Sequence, residues 1–137
     1  MKHENRILVS TTDLDRLERL IEQNQDGRNA AQAELLEQEL HRAVVLSPEQ
    51  LPADVVSMNS TVVFEDEESH VRRQVTLCYP ADAKGHDARV SVLAPVGSAL
   101  LGLSVGQSID WEVPSGRRRF RIVAVPRIGE GEAVGAA

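Results

Sequence analysis

From Asp13 onwards, apolar residues recur at the spacing of an amphipathic helix. Leu14, Leu17 and Ile21 recur three and four residues apart, with Leu20 beside them. This spacing predicts a helix that begins at Asp13 and ends near Gln25. Thr12 is the expected N-cap, because its hydroxyl can accept a hydrogen bond from an unpaired amide of the first turn.

A second helix is predicted after a short turn. Asp26 and Gly27 are typical turn residues, and the helical spacing resumes from about Asn29, the candidate cap, to Val44. Its apolar stripe consists of Ala33, Leu36, Leu40, Ala43 and Val44. Because so short a connection makes the two helices antiparallel, residues 1–46 are expected to form an N-terminal arm with a short coiled-coil hairpin, about 20 Å long.

From residue 47 onwards the apolar spacing changes to that of β-strands. Alternation predicts five short strands, near residues 61–64, 71–79, 89–93, 109–113 and 117–125. A single apolar helical turn over 99–103, capped by Ser98, is expected to cover one face of the sheet. Glu65–Glu68 is expected at a solvated hairpin tip. The fold class is therefore α+β, with an antiparallel body over 47–128 and a flexible tail over 129–137.

The charge of the chain disfavours general binding to nucleic acid. The net charge of the 137 residues is −6, and its distribution is −3 over 1–46, −6 over 47–113 and +3 over 114–137. On a strand, Arg117, Arg119 and Arg121 would share one face. That stripe is either the solvated outer face of an edge strand or a docking patch for an acidic partner, in which Arg117 and Arg119 are candidate contacts.

The sequence carries no pattern typical of catalysis or of cofactor binding. Cys78 is the only cysteine, which excludes an intrachain disulfide and a thiolate zinc cluster. The four histidines are scattered, and no glycine-rich phosphate loop is present. The apolar run Ile7–Val9 is too short for a signal peptide or a membrane span. We therefore expect a cytoplasmic protein that is not an enzyme and binds no metal, cofactor or membrane.

Three segments, over residues 54–60, 94–103 and 105–116, resemble the regulator of nucleoside diphosphate kinase family. That family is related to the Gre transcript-cleavage factors of bacterial RNA polymerase, and the likeness extends over residues 12–128. It implies an FKBP-like body that carries the N-terminal coiled coil. By analogy with the Gre factors, the implied partner is RNA polymerase, bound by the body at the rim of its secondary channel.

The resemblance also implies which residues contact that partner. Asp82 and Pro95 are the first candidates, with Tyr79 and Ser98 beside them and Asp26 at the tip of the hairpin. Gre factors have longer fingers with paired acidic residues at the tip. We therefore expect this protein to bind polymerase without stimulating cleavage, and to compete with Gre factors.

Two alternative functions and the oligomeric state stay open. The FKBP-like body allows a prolyl isomerase, although four aromatic residues are few for a proline pocket. A stand-alone adaptor that holds an acidic protein is the other alternative. We expect a monomer, while Leu20 and Leu35, which lie off the main apolar stripes, leave a dimer open. Sequence-specific contact with nucleic acid is not expected.

Overall fold

The structure is a computed structural model that describes residues 7–85, 88–113 and 116–126. Its elements follow one another along the chain as β1 (Leu8–Ser10), α1 (Thr11–Gln23), α2 (Ala30–His41), β2 (Val44–Leu46), β3 (Thr61–Asp66), β4 (Arg72–Cys78), α3 (Pro80–Ala83), β5 (Arg89–Ser91), α4 (Pro95–Leu100), β6 (Ser108–Val113) and β7 (Gly116–Ala124). The predicted flexible tail, residues 129–137, lies outside the described residues.

The first helix begins earlier than its apolar stripe suggests. Ser10 is the N-cap, since its Oγ accepts a hydrogen bond from the Asp13 amide at 3.1 Å. The prediction that Thr12 caps the helix is therefore wrong, and Thr12 lies within the first turn. The helix ends at Gln23, and Gly27 in the following turn has a φ of +94°.

The second helix is shorter than predicted because the chain changes conformation after His41. Val44–Leu46 forms β2, which pairs in parallel with β1. The prediction that the helix continues to Val44 is wrong. β-Branched residues favour a strand when a partner strand is present, and β1, which precedes α1, supplies that partner. Asn29 precedes α2 as predicted, but its side chain makes no capping hydrogen bond.

The two helices and the body share one hydrophobic core. Leu17 of α1 and Leu36 of α2 are fully buried, in the same cluster as Val62 of β3 and Leu103 after α4. Asp13 Oδ2 also accepts a hydrogen bond from the Met58 amide at 3.0 Å. The arm is therefore packed and hydrogen-bonded against the body.

The body contains a five-stranded sheet with the strand order β5-β4-β3-β7-β6. Its pairs are antiparallel except for β4 and β5, which run in parallel. The prediction of an antiparallel body is wrong at this pair, and the sheet is mixed. The connection from β4 to β5 passes through α3, so it is not a tight hairpin.

The helical turn before β6 also begins earlier than predicted. The helix α4 starts at Pro95, and its N-cap is Ala94, whose side chain makes no capping bond. Ser98 is therefore inside the helix, where its hydroxyl donates to the Pro95 carbonyl at 3.3 Å. Leu100 and Leu101 are buried against the body, in agreement with the expected covering role.

In the three described ranges, no helix has the length and apolar character needed to cross a membrane. Within the same residues, no three His, Cys, Asp or Glu side chains are placed to hold a metal ion together.

Candidate protein-binding surface

One face of the five-stranded sheet is left partly uncovered and forms a groove beside α4. We call it the sheet groove, a cavity of about 690 Å³. Its lining is Phe64, Asp66, Ser69, Val71, Arg73, Val75, Arg89, Val90, Val96, Arg118 and Phe120. A cavity of this volume is within the range of small-molecule and peptide sites.

Strand alternation explains why these side chains share a face. On β4 and the residue before it, Val71, Arg73 and Val75 are spaced two apart, and Arg73 lies opposite Phe64 of β3. Phe64 and Phe120 of β7 pack edge to face, with ring centroids 5.5 Å apart. Val71 remains 55% exposed, so the groove presents apolar surface to solvent.

Arginine side chains surround this apolar surface. Arg118 Nη1 donates to Asp66 Oδ2 at 2.6 Å, and Arg89 Nη1 donates to the Asp82 carbonyl at 3.1 Å. Arg73 is exposed and makes no ion pair with any described residue. The groove therefore combines aliphatic side chains with aromatic and guanidinium groups, and the last two are enriched at protein interfaces.

Asp66 holds the loop at one end of the groove. Its Oδ1 accepts hydrogen bonds from the Glu68 and Ser69 amides. Burial opposes ionisation of Asp66, but these bonds and Arg118 outweigh it, so the pKa of Asp66 is lowered. The carboxylate is therefore charged at neutral pH, and the Arg118 guanidinium is held beside it.

Two of the predicted contact residues, Asp82 and Pro95, lie beside the same edge strand, β5. Asp82 is exposed on α3 and Pro95 is exposed at the start of α4, and both helices contact β5. Gly97 allows this close approach, because a Cβ there would lie 2.0 Å from the Ser91 carbonyl oxygen. Val96, next to Pro95, lines the sheet groove.

Tyr79 lies at a different place, in a cavity of about 510 Å³ between α1 and α3. Burial raises the pKa of Tyr79, and the carboxylate of Asp13 acts in the same direction. The structure therefore places Tyr79 at the junction between the arm and the body. Asp26 is exposed in the turn between α1 and α2 and does not line the sheet groove.

The acidic run that was expected at a solvated hairpin tip is largely inside the sheet. Glu65 and Asp66 are the last residues of β3 and are 8% and 6% exposed. The prediction is therefore wrong for these two residues. Glu65 is held by Arg72 Nε at 2.8 Å, by His70 and by Arg121, and the Arg72 bond is the largest cause of its lowered pKa.

The arginine stripe lies on an interior strand. β7 pairs with β3 on one side and β6 on the other, so its interpretation as an edge strand is wrong. Arg119 already binds Glu67 at 3.4 Å and Asp110 at 3.0 Å. Much of the stripe's charge is thus matched within the body. The role of Arg117 and Arg119 in partner binding stays a prediction.

Most of the sheet groove was not predicted from the sequence. Val96 had been assigned to no element, and the other apolar lining residues had been assigned only to strands or to the core: Phe64, Val71, Val75, Val90 and Phe120. The alternating pattern Val71, Arg73, Val75 was a usable signal, since it places an arginine among apolar residues of one sheet face.

Comparison with known proteins gives the same relationship along most of the chain. Residues 5–46 match the family described as Rnk N-terminus, and residues 51–127 match the C-terminal region of the transcription elongation factors GreA/GreB. The chain is 44% identical over 110 residues to the regulator of nucleoside diphosphate kinase of Escherichia coli, covering 80% of each chain.

More distant relatives and a solved structure agree with this. The transcription inhibitor protein Gfh1 of Thermus thermophilus is 35% identical over 121 residues, which cover 87% of this chain and 76% of that protein. A solved GreA/GreB elongation factor from Nitrosomonas europaea is 45% identical, with a TM-score of 0.72 over 88% of this chain and 97% of the other. The chain therefore belongs to the regulator of nucleoside diphosphate kinase family, which is related to the GreA/GreB transcription elongation factors.

Proposed function

We propose that this protein is a transcription regulator that binds bacterial RNA polymerase through its body, near the secondary channel, without stimulating transcript cleavage. Family membership supports a role in transcription. The single structural observation that carries the proposal is the sheet groove, an exposed apolar surface with arginines at its rim, adjacent to Pro95. Such a surface suits a protein partner.

We infer that α1 and α2 act as a short antiparallel hairpin that the body directs towards the channel. A helix of 13 residues is about 20 Å long. A magnesium ion in a cleavage site needs several oxygen ligands at close range, whereas the turn offers Asp26 with the basic Arg28 two residues away. This tip therefore supports occupation of the channel entrance, and hence competition with Gre factors, without cleavage.

Binding to purified core polymerase tests the role of the sheet groove. We expect Val71→Glu and Arg73→Glu to weaken binding at least about tenfold, because both side chains line the groove and are exposed. The matched control is Val105→Glu, at an exposed valine outside the groove. Groove variants that bind as tightly as the control would contradict the proposal.

The same measurement separates the body from the tip. We expect Asp82→Arg to weaken binding, since Asp82 is on α3 beside the β5 edge, and Asp26→Ala to leave binding nearly unchanged. Loss of binding with Asp26→Ala alone would instead locate the affinity in the arm.

Backtracked elongation complexes test the second half of the proposal. Addition of the protein alone should leave the rate of transcript cleavage unchanged, and an excess should reduce the cleavage stimulated by a Gre factor. The Val71→Glu variant should lose this inhibition. Acceleration of cleavage by the purified protein would show that the proposal is wrong.

A prolyl isomerase is the second candidate, because Phe64 and Phe120 lie in a groove between the sheet and α4, and the resemblance to Gre factors implies an FKBP-like body. Two phenyl rings that pack against each other leave little aromatic surface for a proline. We expect no acceleration of isomerisation in a proline-containing model peptide. If polymerase binding also fails, the stand-alone adaptor becomes the preferred function.

A further inference from the structure

The two helices enclose a second groove, on the arm, which we call the helix groove. It is a cavity of about 520 Å³ between α1 and α2, bordered by Val45 of β2. Leu14 and Leu40 contribute apolar surface, and Val45 is 41% exposed. A solvent-exposed valine beside two leucines indicates a surface that can bury further apolar side chains.

The ionisable residues that line the helix groove are all acidic, apart from one histidine. Glu18 and Glu22 of α1 and Glu37 of α2 line it, together with His41, and no lysine or arginine does so among the residues described. The three carboxylates are exposed and make no hydrogen bond or ion pair with any described residue.

Two other carboxylates of the same helices are matched by cations. Asp15 lies 3.2 Å from Arg19, and Glu39 lies 4.0 Å from Arg42. The three glutamates of the helix groove differ from Asp15 and Glu39, because no described cation neutralises them. Their charge is therefore available to a partner. A cationic partner would be attracted electrostatically to all three carboxylates at once.

We propose that the helix groove binds a basic amphipathic segment of a partner protein. Its apolar side chains would pack against Leu14, Leu40 and Val45, and its lysines or arginines would meet Glu18, Glu22 and Glu37. Glu18 and Glu22 are one helical turn apart, about 6 Å along the axis, so a helix with cations four residues apart fits them.

Other classes of ligand fit the helix groove less well. Phosphates of a nucleic acid would be repelled by the three carboxylates. A bare metal ion lacks a suitable set of ligands, since the described part of the chain holds no group of three His, Cys, Asp or Glu arranged for one. The proposal concerns a surface separate from the sheet groove, so it does not depend on how the body binds polymerase.

Fluorescence anisotropy with the full chain tests the proposal. The probe is a labelled amphipathic peptide of about four helical turns, with leucines on one face and lysines on the other. The triple variant Glu18→Lys, Glu22→Lys, Glu37→Lys should weaken binding at least about tenfold. The matched triple variant Glu34→Lys, Glu49→Lys, Glu68→Lys changes exposed glutamates outside the groove and should weaken it less than about threefold.

A second pair of variants tests the apolar contact. Val45→Ser should weaken peptide binding several-fold, whereas Val105→Ser, at an exposed valine elsewhere, should leave it unchanged. If the charge-reversed triple variant fails to fold, the corresponding glutamine triple variant takes its place. Circular dichroism and thermal melting establish which variants are folded.

Three results would overturn the proposal. Equal losses in the two triple variants would mean that only the net charge of the protein attracts the peptide. Equal binding of a control peptide with glutamates in place of lysines would exclude charge recognition. Displacement of the peptide by a short single-stranded oligonucleotide would mean that the surface takes nucleic acid instead.

Discussion

Gly102 is a residue at which the N-terminal segment packs closely against the body. Its φ is +83°, and a Cβ built on it would lie 1.9 Å from Cγ2 of Ile7, which is buried. The Gly102 carbonyl also accepts a hydrogen bond from the Leu8 amide at 3.0 Å. Only glycine combines this backbone conformation with room for the neighbouring side chain.

The substitution Gly102→Ala should therefore destabilise the protein by roughly 2–5 kcal/mol, because overpacking adds to backbone strain. Gly106→Ala is the matched control. Its φ is +95°, but no atom of the described residues lies within 4 Å of the added Cβ, so only the strain of about 1–2 kcal/mol remains. Urea unfolding measures the stability of both variants. Equal losses of stability would contradict the close contact between residue 102 and Ile7.

Stability in acid should depend on Glu65 and Asp66. Their pKa values are lowered in the folded protein, so the unfolded chain binds more protons below about pH 4. The stability that they contribute is present at neutral pH and is lost as the pH falls through the lowered pKa values. The variant Glu65→Gln, Asp66→Asn should be less stable at pH 7 and should lose less stability on acidification.

Thermal melts between pH 7 and pH 3 measure this dependence, with Glu34→Gln, Glu49→Gln as the exposed control pair. The control should follow the parent protein. Asp13 acts in the opposite sense, because burial raises its pKa; its contribution is lost as the pH rises through that raised pKa. An unchanged acid slope in the double variant would contradict the role of the buried carboxylates.

At the scale of elements, local spacing predicted which segments are helices and strands but not where they end. The stripe that contains Leu17 and Leu36 identified both helices correctly. The end of α2 was misjudged because Val44 pairs with Leu8 of β1, a contact across 36 residues of sequence that no local pattern contains. Element ends of this kind depend on tertiary pairing.

Local sequence patterns were also insufficient to predict the burial of the charged residues and the presence of the sheet groove. Glu65 resembles a turn residue beside three other acids, and only its cross-strand partners Arg72 and Arg121 explain its burial. The alternation of Val71 and Val75 fixes their face of the sheet. That no helix fully covers this face is a property of the assembled fold, so the groove could not be read from the sequence.

The buried stripe of α2 gives an element-scale prediction. Leu36→Ala should cost about 2–5 kcal/mol of stability, because Leu36 is fully buried and its removal leaves a cavity. Leu35→Ala is the neighbouring control and should change stability by less than about 0.5 kcal/mol, since Leu35 is 58% exposed. Chemical denaturation measures both, and similar effects would mean that the helix faces are assigned wrongly.

At the scale of the whole molecule, the arm and the body share one hydrophobic core. Their buried side chains belong to the same cluster, and backbone contacts such as Asp13 with Met58 and Leu8 with Gly102 join them. These contacts hold the arm in one orientation relative to the sheet groove. If the body docks on polymerase, the position of the helix groove is then determined as well.

Because the arm and the body share one core, we expect them to unfold together in urea. Fluorescence of Trp111, the only tryptophan, reports on β6, and far-ultraviolet circular dichroism reports mainly on the helices. The two curves should have the same midpoint, because loss of the helices would expose the core that the sheet shares with Leu17 and Leu36.

Gly102→Ala should lower both midpoints equally, since it strains the contact between β1 and the body. A helical signal that disappears first, before the tryptophan signal changes, would mean that the arm is a separate unit whose direction the body does not control.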